Sequence, residues 1–138
     1  MSNKAKGSKA ERELVQIFTD NLWRALRVAG SGVNDNSPCD IIAAKMGRNG
    51  YVIEAKSSKQ NRIYIKKQQI DDFIKYSQMI GLQPVIAVRF NYEGWIFLNP
   101  FKHLEDSGSA WVVSKDNAKT NGMKFSQFFE PDTNEFLA

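Results

Sequence analysis

The chain has 138 residues, 42% of them hydrophobic and 25% charged, the size and balance of one globular domain that buries a core without metals or disulfides. A lone cysteine, Cys39, excludes an internal disulfide framework and a Cys-rich zinc site; a lone histidine, His103, excludes a metal site built on two histidines; and the longest unbroken apolar stretch, Pro84 to Val88, is far too short to cross a bilayer. Residues 1–70 hold 13 Lys/Arg against 6 Asp/Glu and residues 71–138 hold 6 against 9, so the formal charge of +4 divides into +7 and −3, an asymmetry that suits a face meeting a polyanion.

The polar, basic start of the chain does not read as a signal peptide, and a cytoplasmic, nucleoid-associated protein is expected. Residues 1–6 read as a flexible basic arm. Ser8 to Asn21 reads as a helix, with Leu14, Phe18 and Leu22 recurring every four residues and Ser8 to Glu11 fitting a capping box. Trp23 to Val28 alternates as a strand does, and the turn-rich run from Gly30 to Pro38 is a loop. Cys39 to Ala44 and Tyr51 to Lys56 are two strands joined by the tight connection Met46 to Gly50, so they pair antiparallel. Ser57 to Arg62 reads as a basic loop. Lys67 to Ile80 is a second helix, ended by Gly81. Gln83 to Phe90 and Gly94 to Leu98 follow as strands. Past Pro100 the pattern weakens to a short strand at Trp111 to Val113, a helical turn at Phe125 to Phe129 and a frayed tail over residues 131–138. The order predicts one α/β domain over residues 1–138, a central mixed sheet flanked by helices.

The chemistry concentrates on the predicted hairpin. Asp40 opens its first strand, and Glu54 and Lys56, two apart, share a face of its second. The hairpin brings Asp40 beside Glu54, and two converging carboxylates form a hard oxygen site suited to Mg²⁺, with Mn²⁺ able to substitute. A neighbouring lysine stabilises a hydroxide or a developing phosphorane charge. The same spacing also fits a turn-capping Asp beside an exposed Glu/Lys face. Lys4, Lys6, Lys9, Lys45, Arg48, Lys59, Arg62, Lys66 and Lys67 cluster in predicted loops and strand ends, the distribution of a nucleic-acid footprint.

Five segments in order resemble the archaeal Holliday-junction resolvases of the PD-(D/E)xK nuclease superfamily, which carry the restriction-endonuclease fold. They are Gly7 to Arg12, Arg27 followed by Ser31-Gly32, Asp40 to Ala43, Ile53 to Ser57, and Tyr64-Ile65 with Lys66-Lys67 and Gln69. The resemblance runs from about Lys4 to Phe101. It implies that Asp40, Glu54 and the Ala55 carbonyl hold Mg²⁺, that Lys56 orients the attacking water, and that Glu11 completes the metal site through a bound water. It further implies a catalytic Ser31 on a loop near the scissile phosphate, phosphate contacts from Arg12 and Arg27, and a homodimer acting on branched DNA. One departure is local: Cys39 stands between Pro38 and Asp40.

Other residues have plainer readings. Glu11 also fits the acid of the capping box. His103 reads as a turn residue, and Trp23, Trp95 and Trp111 as core or interface anchors. Phe73 and Tyr76 fit a dimer surface or the core. Phe125 to Phe129 loosely resembles a sliding-clamp-binding box but lacks its leading glutamine, Gly122 standing there, and a core helix fits better. The function expected is a metal-dependent endodeoxyribonuclease that resolves four-way junctions. The alternatives are another nuclease of the same superfamily and a non-catalytic DNA-binding module on the same fold.

Overall fold

A computed structural model describes residues 3–28, 38–91 and 93–131, with side chains from Ser8 onward. The elements run α1 (Asn3–Asp20), β1 (Arg24–Arg27), β2 (Ile41–Ala44), β3 (Tyr51–Ser58), β4 (Arg62–Lys66), α2 (Lys67–Ile80), β5 (Gln83–Phe90), β6 (Ile96–Leu98), β7 (Glu105–Asp106), β8 (Ala110–Ser114), α3 (Lys115–Asn121) and α4 (Phe125–Phe129). β1, β2, β3, β5 and β6 form a five-stranded sheet in that order; β4, β8 and β7 form a second sheet of three. β3 pairs antiparallel with β2 and parallel with β5, so the main sheet is mixed, as expected, and α2 is the crossover between its parallel pair.

Strand alternation divides the core into two layers. Ile41, Ile53, Val85, Ala87 and Phe97 face α1 and α4, where they meet Leu14, Phe18, Trp23 and Phe129. Val52, Ile86, Val88 and Leu98 face the other way, onto Ile70 and Phe73 of α2, Ala118 of α3, and Ile63, Ile65 and Val113 of the second sheet. β3 and β5 are therefore covered on both faces, and their long apolar runs follow from that. Trp23 and Trp95 are core residues, and Trp111 packs against the second layer.

Several expectations are corrected. α1 begins at Asn3, so Lys4 and Lys6 lie on helical backbone rather than on a free arm. Only Gly7 weakens the segment before Ser8, at about 1 kcal/mol, which docking of the helix outweighs. Ser8 is thus inside the helix and caps nothing, which removes the capping-box reading of Glu11. Leu22 lies past the helix in the left-handed region at φ 68°, 81% exposed. There it closes the turn in which the Trp23 N–H donates to Phe18 O at 2.9 Å. Ser57 to Arg62 is not one loop: β3 continues to Ser58 and β4 begins at Arg62. β7 and α3 have no counterpart in the sequence reading. Phe73 is fully buried and offers no dimer surface, and Tyr76 is half-buried against the second layer.

Phe125 to Phe129 forms the expected helix. Phe129 is buried among Phe18, Trp23, Tyr51 and Phe97, with ring centroids 4.8–5.5 Å apart, and Phe125 and Phe128 pack on the same cluster. A clamp-binding box needs those rings free, and here they are core. Glu130 closes the helix onto the sheet, accepting from Trp23 Nε1 at 3.0 Å, Lys45 Nζ at 2.8 Å and Arg48 Nη2 at 3.1 Å. His103 is a turn residue: its Nδ1 accepts from the Asn99 N–H at 3.0 Å. The tail beyond Pro131 lies outside the described residues, and no described helix is long and apolar enough to cross a membrane.

Candidate active site

The site follows from the register of β2 on β3. Ile41 pairs with Ile53, so Asp40, one place earlier, falls opposite Glu54. The backbone continues the ladder: Asp40 N–H donates to Ile53 O at 3.0 Å, and Val28 N–H donates to Asp40 O at 2.8 Å. Ala55 N–H donates to Asp40 Oδ2 at 2.8 Å, which fixes that carboxylate while engaging only one of its oxygens.

Glu54 is 2% exposed, in the centre of the sheet. Burial, and then the hydrogen-bonded carboxyl of Asp40 beside it, push its pKa well above the ordinary glutamate range; Lys56 and Gln69 pull the other way. Gln69, in the first turn of α2, donates from Nε2 to Glu54 Oε2 at 2.9 Å, while its Oε1 stands 3.5 Å from Lys56 Nζ. One amide thus holds both the carboxylate and the ammonium of the E-x-K pair. The sequence pattern contains Gln69 but assigns it no role; its place at the start of the helix after a strand edge was the available signal.

Glu11 approaches from α1 on the other side. Burial and the charge of Asp40 raise its pKa, and Arg27 and Lys56 lower it. Arg27 Nε lies 3.4 Å from Glu11 Oε1, and its Nη2 donates to Ser8 Oγ at 3.1 Å. Asp40 and Lys56 therefore act on both Glu11 and Glu54, although the four come from a helix, a strand start and a central strand. Burial and the two nearest carboxylates push the Cys39 thiol up to about 12, so it stays protonated and unreactive.

Among the described residues no three His, Cys, Asp or Glu side chains are grouped to hold a metal ion directly. The pair Asp40–Glu54 fits such an ion in another way. Two carboxyls in hydrogen-bond contact, one almost fully buried, must share a proton or repel, and a divalent cation between them removes that conflict. Their donors are hard oxygens, the kind such an ion prefers.

The expected phosphate-binding residues separate into two groups. Arg12, Lys59, Arg62 and Lys66 are exposed and, among the described residues, have no ion-pair partner. Arg27 is committed to Glu11 and Ser8, Lys67 to Asp106 at 2.8 Å, and Lys45 to Glu130. Lys45 moreover follows the end of β2 remote from Asp40, so it buttresses α4 rather than the site. Arg27 is better placed to hold Glu11 than to meet phosphate. The side chains of Lys4 and Lys6, and all of Ser31, lie outside the described residues.

Comparison with known proteins points one way. The family described as archaeal Holliday junction resolvase (Hjc) matches residues 2–135. A crossover junction endodeoxyribonuclease Hjc of Methanocaldococcus jannaschii is 37% identical over 111 residues, 80% of this chain and 77% of that protein. A crossover junction endodeoxyribonuclease Hje of Saccharolobus solfataricus is 33% identical over 119 residues, 84% of each. The solved structure of Archaeoglobus fulgidus Hjc, a Holliday junction resolvase, superposes with a TM-score of 0.77 over 87% of this chain and 97% of that one, at 24% identity, a likeness of fold.

Proposed function

This chain belongs to the archaeal Holliday junction resolvases, and we propose that it resolves four-way DNA junctions by paired, Mg²⁺-dependent nicks made from a homodimer. The observation that carries the reading is the buried Asp40–Glu54 pair with Lys56 held against it through Gln69. Nothing in the packing requires a carboxylate at the centre of a two-sided sheet; at 2% exposure Glu54 is costly unless it binds something.

Asp40, Glu54 and the Ala55 carbonyl would hold the Mg²⁺, with Mn²⁺ serving in its place. When bound, the ion supplies a Lewis acid that lowers the pKa of water and offsets phosphate charge. The protein's own groups do the rest. Lys56, steered by Gln69, places an ammonium where the attacking hydroxide and the developing phosphorane charge need one. Glu11, oriented by Arg27, stands on the opposite side of Asp40 to hold a water and take up a proton. Its raised pKa suits that task, because a base shifted towards neutrality accepts and releases protons near working pH. Arg12, Lys59, Arg62 and Lys66 supply the unpaired cations that hold the backbone. One site cuts one strand, so two symmetric cuts in a two-fold junction call for two sites on a two-fold dimer.

The test is strand cleavage of an immobile four-way junction beside a linear duplex of the same sequence, wild type against Asp40→Asn, with and without Mg²⁺. Symmetric nicks in the junction alone, lost in the variant and without the ion, are expected. Equal cutting of the duplex removes the junction selectivity, and binding without cutting leaves a DNA-binding module.

A further inference from the structure

The outer face of the second sheet carries a feature that cleavage chemistry does not use. β4 alternates strictly: Ile63 and Ile65 are buried in the core, while Arg62, Tyr64 and Lys66 point outward. Tyr64 is 59% exposed, and among the described residues its side chain has neither a ring contact nor a hydrogen bond. Tyrosine is at home in a strand, but more than half of this one is left to solvent on an outward face. Its two same-face neighbours are cations that have no ion-pair partner among the described residues, each about 6.6 Å away along the strand. Beneath it lies Val112 of β8, its cross-strand partner, 9% exposed. The next residue across that face is Glu105 of β7, which pairs with Val112 and is exposed. It sets an acidic border about 10 Å from Tyr64, two strand spacings away. The next acid of β7, Asp106, is occupied by Lys67.

The platform stands beside the active site. β4 runs directly into α2, and Gln69, which grips Glu54, comes three positions after Lys66 and five after Tyr64. Five residues span at most about 18 Å, close to five base steps of duplex.

We propose that Arg62, Tyr64 and Lys66 form a binding site for an unstacked nucleobase and its flanking phosphates at the branch point of a junction. The inference rests on the resolvase reading and deepens it. A ring flanked by cations at this spacing suits a base on the ring and phosphates on either side, the arrangement by which single-stranded nucleic acid is held without sequence preference. A continuous duplex offers no free base face, so the site favours branched DNA over linear. It supplies a reason for selectivity that phosphate contacts alone do not.

The experiment measures binding and nicking of an immobile junction carrying 2-aminopurine at the branch point, with the matching linear duplex, for wild type, Tyr64→Ala and Tyr64→Phe. The ring is largely exposed, so both variants should fold; unchanged circular dichroism establishes that. Tyr64→Ala is expected to bind the junction about 5- to 100-fold more weakly, the range of one lost stacking contact, and to bind duplex within about twofold of wild type. Its 2-aminopurine signal should lose the change that wild type produces. Tyr64→Phe should match wild type. Unchanged junction selectivity in Tyr64→Ala overturns the proposal, as does an equal loss on duplex, which would make Tyr64 a backbone contact. A Tyr64→Phe variant as weak as Tyr64→Ala overturns stacking in favour of the hydroxyl. A wild type without preference for the junction removes the resolvase reading itself, and the base site with it; a selective wild type whose Tyr64→Ala variant stays selective removes the base site alone.

Discussion

Replacing Glu54 with Gln should abolish cleavage and, in the absence of divalent metal, stabilise the fold. Glu54 is almost fully buried against the Asp40 carboxyl. Two like charges about 4 Å apart repel by about 4 kcal/mol at an effective dielectric constant near 20, and Lys56 and Gln69 offset part of this, leaving about 1–3 kcal/mol. Gln keeps the shape, accepts from Gln69 as before, and donates to Asp40 as the protonated acid does. The sign with pH follows from the raised pKa of Glu54 in the folded state. Protonated Glu54 contributes stability that is fully present below its ordinary value of 4.5 and is lost as pH climbs through the raised one. Wild type and Glu54→Gln should therefore be equally stable at about pH 4, with the variant gaining at most about 1.4 kcal/mol per pH unit above that until Glu54 ionises in the folded protein. Urea unfolding in EDTA across the pH range measures this; at a slope of about 2 kcal/mol/M, a gain of about 2 kcal/mol moves the midpoint by about 1 M. Added Mg²⁺ should then stabilise wild type, by about 2.7 kcal/mol at a hundred times its dissociation constant, and leave the variant unmoved. A variant less stable than wild type in EDTA at pH 8, or a difference that does not vary with pH, would refute the reasoning.

Gln69→Ala frees Glu54 and Lys56 together, and nicking should fall about 10- to 100-fold, the usual effect of losing a group that orients metal ligands, while junction affinity measured in Ca²⁺ holds; a variant cutting at the wild-type rate would show that Gln69 positions nothing. Lys59→Ala with Lys66→Ala should weaken binding to all DNA and reduce the salt slope by about 2. Lys45→Ala should leave that slope intact and cost about 1 kcal/mol of stability through the lost contact with Glu130, so a salt titration of the three proteins separates footprint from buttress. Leu22→Gly should stabilise by about 0.5–1 kcal/mol in denaturant unfolding, because the residue sits at φ 68° with an exposed side chain, a conformation glycine adopts without a Cβ clash; destabilisation would mean that the leucine packs against something.

The elements that could be read from the chain are those with strong local signals. α2 and β5 begin and end where periodicity, Gly81 and flanking turns place them, and the Met46–Gly50 connection dictated the pairing of β2 with β3. From that pairing alone Asp40 could be set beside Glu54. The signals that misled were local as well. Ser8 and Glu11 have capping-box spacing, but the helix already runs from Asn3 and both side chains turn to Arg27. β4 carries no strand signal of its own, Arg62 being read as the end of a basic loop, because its pairing partner, β8, lies 44 or more residues further on.

Residue spacing determined which carboxylates share a hairpin, which faces are apolar and where charge accumulates, because those properties depend on neighbours within one or two turns or strand periods. The tertiary structure decided the rest. It brought Glu11 from a helix and Gln69 from another to the same two carboxylates. It turned Arg27, Lys45 and Lys67 from presumed phosphate contacts into partners of Glu11, Glu130 and Asp106. It also buried the rings of Phe125 to Phe129 while leaving Tyr64 bare. Whether a cation is free or a ring is exposed depends on groups far away in the chain, and only packing brings those groups into contact.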